Sequence, residues 1–421
     1  MNAGADGNGK RVSRRRALTI GGAAAVTALS AVGLPSSSPG TEPETGDRSI
    51  ERVHAAGITG SGVRVGVLDT TGFAPSHPGL DDRVAALRSF DSAPLVVDRV
   101  THGTAAAATV SDLAPDVTLL LASFSRPTGF ASALEWFGRK QVDLVLTPVA
   151  AHGGTGSTVV DAAAATVDSG LPLVAPTGNA AHGHWSGPLG AAVGASLAVQ
   201  PFSQKGVPSG RLVAWLGCEG NRVDCTLKLI RLTETGDGRD LVALSQPSDW
   251  GSAEKLTANL DPGEYVLEVG VPDHDEVPAD VDEHPVSVVT PTHAVMPARP
   301  AGSIAPPASA PGVVAVGALS DRRLAPYSGR GPTPDGRVGV DVVAEPNSWA
   351  GNSVPGTSGA AARVAGTAAL VLAAEPSLSP DALRGLLRTT AADMGSEGPD
   401  LGTGWGRLDP LTSVQRARIS D

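Results

Sequence analysis

Two patterns of apolar and polar positions divide the chain. In the first, short apolar runs alternate with alanine-rich stretches. Val63, Val65 and Val67 alternate with Arg64, Gly66 and Leu68, and the run ends at Asp69. That period predicts a strand. Further runs read the same way at 117–124 (VTLLLASF), 143–150 (DLVLTPVA), 171–179 (LPLVAPTGN), 313–319 (VVAVGAL) and 338–344 (VGVDVVA). Between them lie expected helices. One is short and ends at Gly57. A second opens at His102-Gly103-Thr104, a third is closed by Gly170, and a fourth runs from Ser358 to Ala374. Another starts at Ser379-Pro380, with serine as cap and proline at the first position. Strands alternating with helices predict a doubly wound parallel sheet with helices on both faces.

The second pattern begins near residue 183. Strand-like runs follow at 211–217, 225–232, 240–245, 254–260, 264–270 and 286–290, separated by turns such as TGDG and DPGE. Short strands at this spacing predict an inserted β-sandwich. The Pro-rich stretch 296–312 leads back to the α/β pattern. The expected organisation is an N-terminal segment 1–33, a linker 34–47, an α/β first part 48–182, the insert 183–299 and an α/β second part 300–421.

Asp69, at the carboxyl end of an expected strand, and His102, at a helix start, are each unremarkable alone. So is Ser358: the commonest use of a serine at a helix start is as a cap. The helix after it carries one charge, Arg363, and is otherwise apolar or small, which marks it as buried. A serine there lies near unpaired backbone N–H groups and the positive end of the helix dipole. A nucleophilic serine needs a histidine base held by a carboxylate. All nine histidines precede Ser358, and GTSGA lacks the second glycine of a G-x-S-x-G elbow. The order Ser, Asp, His is therefore excluded. The order Asp, His, Ser is filled by Asp69, His102 and Ser358.

Composition narrows the partners. A net charge of −11 and a pI near 5.3 argue against a general nucleic-acid binder. Arg14, Arg15 and Arg16 precede an apolar stretch, 17–32, that is short and weakly hydrophobic for a spanning helix. It reads as an export signal of twin-arginine type, handed to the export machinery; an uncleaved anchor retained at the cell surface is the alternative. In an exported protein Cys218 and Cys225, flanking EGNRVD, are expected to form a disulfide. His152, His182 and His184 read as loop residues, since no cysteine or H-E-x-x-H pattern accompanies them, and no metal site is expected.

Taken together, VGVLDTTGFAPSHPGL, HGTAAAATV, PLVAPTGN and GTSGAAARVAG resemble the aspartate, histidine, oxyanion-asparagine and serine segments of the subtilisin family of serine peptidases. The resemblance covers about 48–182 and 300–415. The insert resembles, more weakly, the pre-peptidase C-terminal sandwiches of secreted peptidases. What the resemblance implies is an α/β subtilisin-like fold and an exported endopeptidase acting on proteins or peptides through an acyl-enzyme. Ser358 would attack, His102 would carry the proton, and Asp69 would orient and stabilise the imidazole. Asn179 would donate to the oxyanion. Losing such a donor costs about 10²- to 10³-fold in turnover, a magnitude measured in this family itself. Pro148, Val149 and Ala150 would pair with substrate backbone. No cofactor is implied, and no calcium loop can be named. A monomer is expected. The alternatives are a binding protein on the same fold that works through its insert, and an esterase with the same triad. The flanks depart from the family: Thr70-Thr71-Gly72 adds a residue after Asp69, Ala105 replaces a second histidine, and Gly359 and Arg363 stand in the serine helix.

Overall fold

The structure, a computed structural model, describes residues 45–152, 158–203, 205–218, 225–233, 238–247, 253–271, 285–346 and 354–419. The expected signal 1–33 and all but the end of the linker 34–47 lie outside these residues.

The first sheet is built from β1 (Arg64–Asp69), β2 (Val84–Ser89), β3 (Thr118–Ser123), β4 (Leu144–Leu146) and β5 (Leu173–Pro176). It is completed by strands from the far end of the chain, here termed β16 (Val314–Ser320), β17 (Arg323–Leu324) and β18 (Val342–Ala344), after ten strands of the insert. The order is β17-β16-β5-β4-β1-β3-β2, with β18 also on β16. All these pairings are parallel except β16 with β17. The order reverses at β1, which lies between β3 and β4. Ligand sites in such sheets form outside the carboxyl ends at that reversal. Asp69 is the last residue of β1.

Strand alternation sends side chains to two faces. Val65, Val67, Leu119 and Leu121 enter one apolar cluster with helices α1 (Thr45–Ala55), α2 (His102–Leu113), α6 (Gly356–Ala374), α7 (Pro380–Thr389) and α8 (Pro410–Ala417). Leu68, Leu120 and Val145 enter the opposite cluster with α3 (Pro127–Arg139) and α4 (Thr158–Asp168). Each such leucine contributes about 1.5–3 kcal/mol on burial. By length and composition α6 would cross a membrane, but it is the core helix of this face: all residues from Gly356 to Leu372 are buried.

Within 184–296 the chain builds two five-stranded antiparallel sheets. Their strands are β6 (His184–Pro188), β7 (Ser196–Gln200), β8 (Gly210–Cys218), β9 (Thr226–Leu232), β10 (Arg239–Leu244), β11 (Gln246–Pro247), β12 (Glu254–Leu260), β13 (Tyr265–Gly270), β14 (Pro285–Val289) and β15 (Ala294–Met296), with a short helix α5 (Leu189–Val193) after β6. The orders are β10-β9-β13-β7-β15 and β11-β12-β8-β14-β6. Leu212, Ala214 and Leu216 from one sheet meet Leu227, Leu229 and Leu267 from the other in a third cluster. Cys218 and Cys225 both reach this cluster, on either side of 219–224, which lie outside the described residues.

Several elements differ from the expectation. The run 143–150 is strand only over Leu144–Leu146, because Pro148 has no N–H for a ladder. The run 338–344 is strand only at Val342–Ala344. Sheet strands of the insert begin already at His184 and Ser196, where Gly187, Pro188 and polar residues break the apolar pattern. His184 is therefore a buried strand residue and not a loop residue. Helix α3 and strand β2 were not expected at all.

Candidate active site

Asp69 is fully buried, and its two carboxylate oxygens are used differently. Oδ2 lies 2.7 Å from His102 Nδ1. Oδ1 accepts from the Thr71 amide at 2.8 Å and from the Thr71 hydroxyl at 2.7 Å. Thr71 Oγ1 in turn accepts from the Gly103 amide at 3.0 Å. The extra residue after Asp69 thus sets a threonine between the carboxylate and the helix that carries the histidine.

His102 is the first residue of α2, whose cap is Thr101. The Thr101 hydroxyl accepts from the Thr104 amide at 3.2 Å and donates to the Gly72 carbonyl at 2.5 Å. The helix start can approach Asp69 because residue 103 is glycine. A Cβ there would lie 2.9 Å from both Asp69 Cβ and the Gly72 oxygen. Burial would lower the basicity of His102, but the Asp69 charge and hydrogen bond outweigh it and raise it above the ordinary value. Burial would likewise raise Asp69; the His102 charge, with hydrogen bonds from His102 and Thr71, holds it below the usual carboxylate value. With Nδ1–H donated to Asp69, the neutral ring keeps a lone pair on Nε2.

Asn179 follows β5, and Ser358 lies in the first turn of α6. Pro355, not Ser358, is the helix cap. The Thr357 amide and hydroxyl donate to Asn179 Oδ1 at 2.9 and 2.8 Å. Two donors on the oxygen fix which way the carboxamide faces and leave Nδ2 to donate elsewhere. Gly356 has φ +74°, and a Cβ there would lie 2.5 Å from Asn179 Nδ2. Only glycine suits both demands. Ser358 is 9 % exposed. Its hydroxyl donates to the Pro148 carbonyl at 2.7 Å, and it makes no hydrogen bond to His102.

Pro148, Val149 and Ala150 form an extended segment after β4. Val149 packs beside Phe124, Phe130, Thr147 and Val159 around a cavity of only about 10 Å³. The structure thus brings Asp69 to His102, Asn179 to the turn preceding Ser358, and Ser358 to Pro148. Thr71 and Thr357 escaped the sequence reading; hydroxyls beside an acid and beside a nucleophile were the available signal. Among the described residues no group of three or more His, Cys, Asp or Glu side chains is placed to hold a metal ion.

An α/β body of this topology, with these residues at its carboxyl edge, is the subtilisin-like fold. Residues 298–406, which include Ser358, match the Subtilase family. The CspB protease of Clostridium perfringens superposes with a TM-score of 0.61 at 16% identity, covering 89% of this chain and 99% of that one. A lanthipeptide protease gives a TM-score of 0.51 at 15% identity, over 88% of this chain and 93% of its own. At these identities the likeness is one of fold. In sequence, the halolysin-like extracellular serine protease Nep of Natrialba magadii is 37% identical over 115 residues, 27% of this chain. That match spans only 21% of the length of Nep.

Proposed function

We propose that this chain is a serine endopeptidase that acts on proteins or peptides through an acyl-enzyme. The observation that carries the reading is the buried Asp69–His102 pair; Thr357, next to Ser358, holds Asn179. Ser358 Oγ forms a bond to the scissile carbonyl carbon as His102 Nε2 takes its proton. The carbonyl oxygen becomes an oxyanion, to which Asn179 Nδ2 and the Ser358 amide donate. Collapse expels the amine, which takes the proton from His102. Water then repeats the sequence on the ester and releases the acid and free Ser358. Before attack, Ser358 exchanges the Pro148 carbonyl for His102. A substrate N–H that pairs with that carbonyl would favour the exchange.

Export through 1–33, with a twin-arginine signal, belongs to the same reading. So does a Cys218–Cys225 disulfide, which an oxidising exterior sustains. The extracellular relative supports export. Release after signal cleavage, with retention at the surface by an uncut signal as the alternative, and a monomeric state complete the proposal.

The test is fluorophosphonate labelling of the protein recovered after export, beside Ser358→Ala and His102→Ala. One label per chain, lost in both variants, is expected; intact mass would also report signal removal and the two hydrogen atoms lost when the thiols are oxidised to a disulfide. A folded wild-type protein that takes no label would overturn the peptidase reading and favour a binding role for the sandwich.

A further inference from the structure

Asn179 stands four residues before Gly183, in a short segment held from two sides. On the body side, Ala181 N–H donates to Tyr327 O at 3.0 Å, Gly329 N–H to Gly178 O at 2.9 Å and Ala305 N–H to Thr177 O at 3.0 Å. On the other side the holder is the sandwich. Thr290 N–H donates to Gly183 O at 2.8 Å. Arg299 N–H donates to His184 O at 2.7 Å, and His184 Nδ1–H returns a bond to Arg299 O at 2.6 Å.

The contact at Gly183 is the tightest of these. A Cβ on Gly183 would fall on the Thr290 carbonyl oxygen and within 2.6 Å of the His293 carbonyl oxygen and Thr290 Oγ1. Two of these atoms are backbone, so no rotamer change could make room. The corner 290–293 is itself closed by a bond from the Thr290 hydroxyl to His293 O. The 3₁₀ turn Ala181–Gly183 and this corner are pressed backbone to backbone.

We infer that Gly183 is a positioning residue, and that corner 290–293 of the sandwich sets the Asn179 carboxamide by clamping the turn that follows it. The inference rests on the peptidase reading for its catalytic consequence, though not for its structural one. Thr357 aims the Asn179 oxygen; the clamp fixes the backbone from which that side chain reaches. A donor misplaced by a fraction of an ångström loses most of its worth to a transition state. The sandwich therefore acts on the reaction without touching substrate.

The test uses the full chain with Gly183→Ala and Thr290→Val, each alone and combined with Asn179→Ala. The expected result is a fall in kcat of about tenfold for Gly183→Ala and about threefold for Thr290→Val, with KM within about twofold. Affinity for a peptidyl boronic acid, which forms a tetrahedral adduct on Ser358, should fall by the same factors. In the Asn179→Ala background both losses should vanish. Unchanged kcat in a folded Gly183→Ala protein, or an equal loss without Asn179, would overturn the inference. If Gly183→Ala does not fold, Thr290→Val decides. Hydrogen exchange over 177–183 supplies a readout independent of activity. Faster exchange in the variants is expected, and unchanged exchange overturns the clamp. A wild-type protein that takes no fluorophosphonate would sink the peptidase reading alone, and exchange would still judge the clamp.

Discussion

Thr71 joins the acid and the base more directly than any other residue. Its hydroxyl donates to Asp69 Oδ1 and accepts from the Gly103 amide, so one side chain ties the end of β1 to the start of α2. Thr71→Val keeps the amide bond to Asp69 and removes the hydroxyl. A hydrogen bond to a charged group is worth about 1.5–3 kcal/mol, so kcat/KM should fall roughly ten- to hundredfold. The pH profile carries a second signature. In the proposed mechanism His102 acts when neutral, and its basicity is raised by Asp69, so the acid limb of kcat/KM should lie above the ordinary imidazole value of about 6.5. Asp69→Asn removes the raising charge; the limb should shift to lower pH while the rate collapses. A limb that stays in place would show that Asp69 does not set the base. Asp69 and His102 were legible because a strand end and a helix start are visible in the apolar pattern. Thr71 was not. The added residue looked like a departure from the family segment, and only the folded loop shows it returning to the carboxylate.

Helices α2 and α6 bring His102 and Ser358 to one edge of the sheet, and they pack through small residues. A Cβ on Gly366 would lie 2.7 Å from Leu113 Cβ and 2.9 Å from its Cδ1. Gly366→Ala should overpack this crossing and cost about 1–3 kcal/mol, read as a lowered denaturant midpoint. Leu113→Gly in the same chain removes both contacting atoms and should make the two effects less than additive; purely additive destabilisation would refute the steric account. The alanine-rich runs made both helices legible. Helix α3 was not, although Phe130, Ala133, Leu134 and Phe137 form its buried stripe. Its aromatic residues are modest helix formers and Gly129 weakens its first turn, so local propensity argued against it. Strand β2 is half exposed along its length and offers no apolar run to read. Strands β6 and β7 take their place from partners distant in sequence: β14 for one, β13 and β15 for the other.

Across the whole molecule, histidine burial sets the response to acid. Burial, with the charge of His184, pushes His152 down to about 4. Burial also lowers His182, His184 and His293; the nearby Arg330 charge adds to the effect at His182, while backbone bonds only partly offset it at the other two. In the unfolded chain these groups take up protons near 6.5, but in the native state only at lower pH. The unfolded state therefore binds more protons below about pH 6.5, and stability should decline from there toward pH 4. His102 has the opposite sign: its raised basicity adds stability below 6.5 that is lost as pH rises through its folded value. His152, His182, His184 and His293 work toward a loss of stability in acid, and His102 works against it. Melting temperatures from pH 7.5 to 4 would show it, and His152→Asn should flatten the slope. No sequence pattern announces this, because it depends on which histidines the fold buries.

His184 begins β6 and Arg299 follows β15, and though separated by 115 positions they share hydrogen bonds. Seen from the parallel sheet, the chain departs and returns through a gap no wider than a tight turn. Closing a loop grows costlier only with the logarithm of its length, so the sheet is nearly indifferent to what the excursion contains. The position works as a socket: lengthening or shortening its contents need not redraw the strand order. Whatever occupies it inherits the backbone beside Asn179, and on the clamp inference a hold on where that side chain sits.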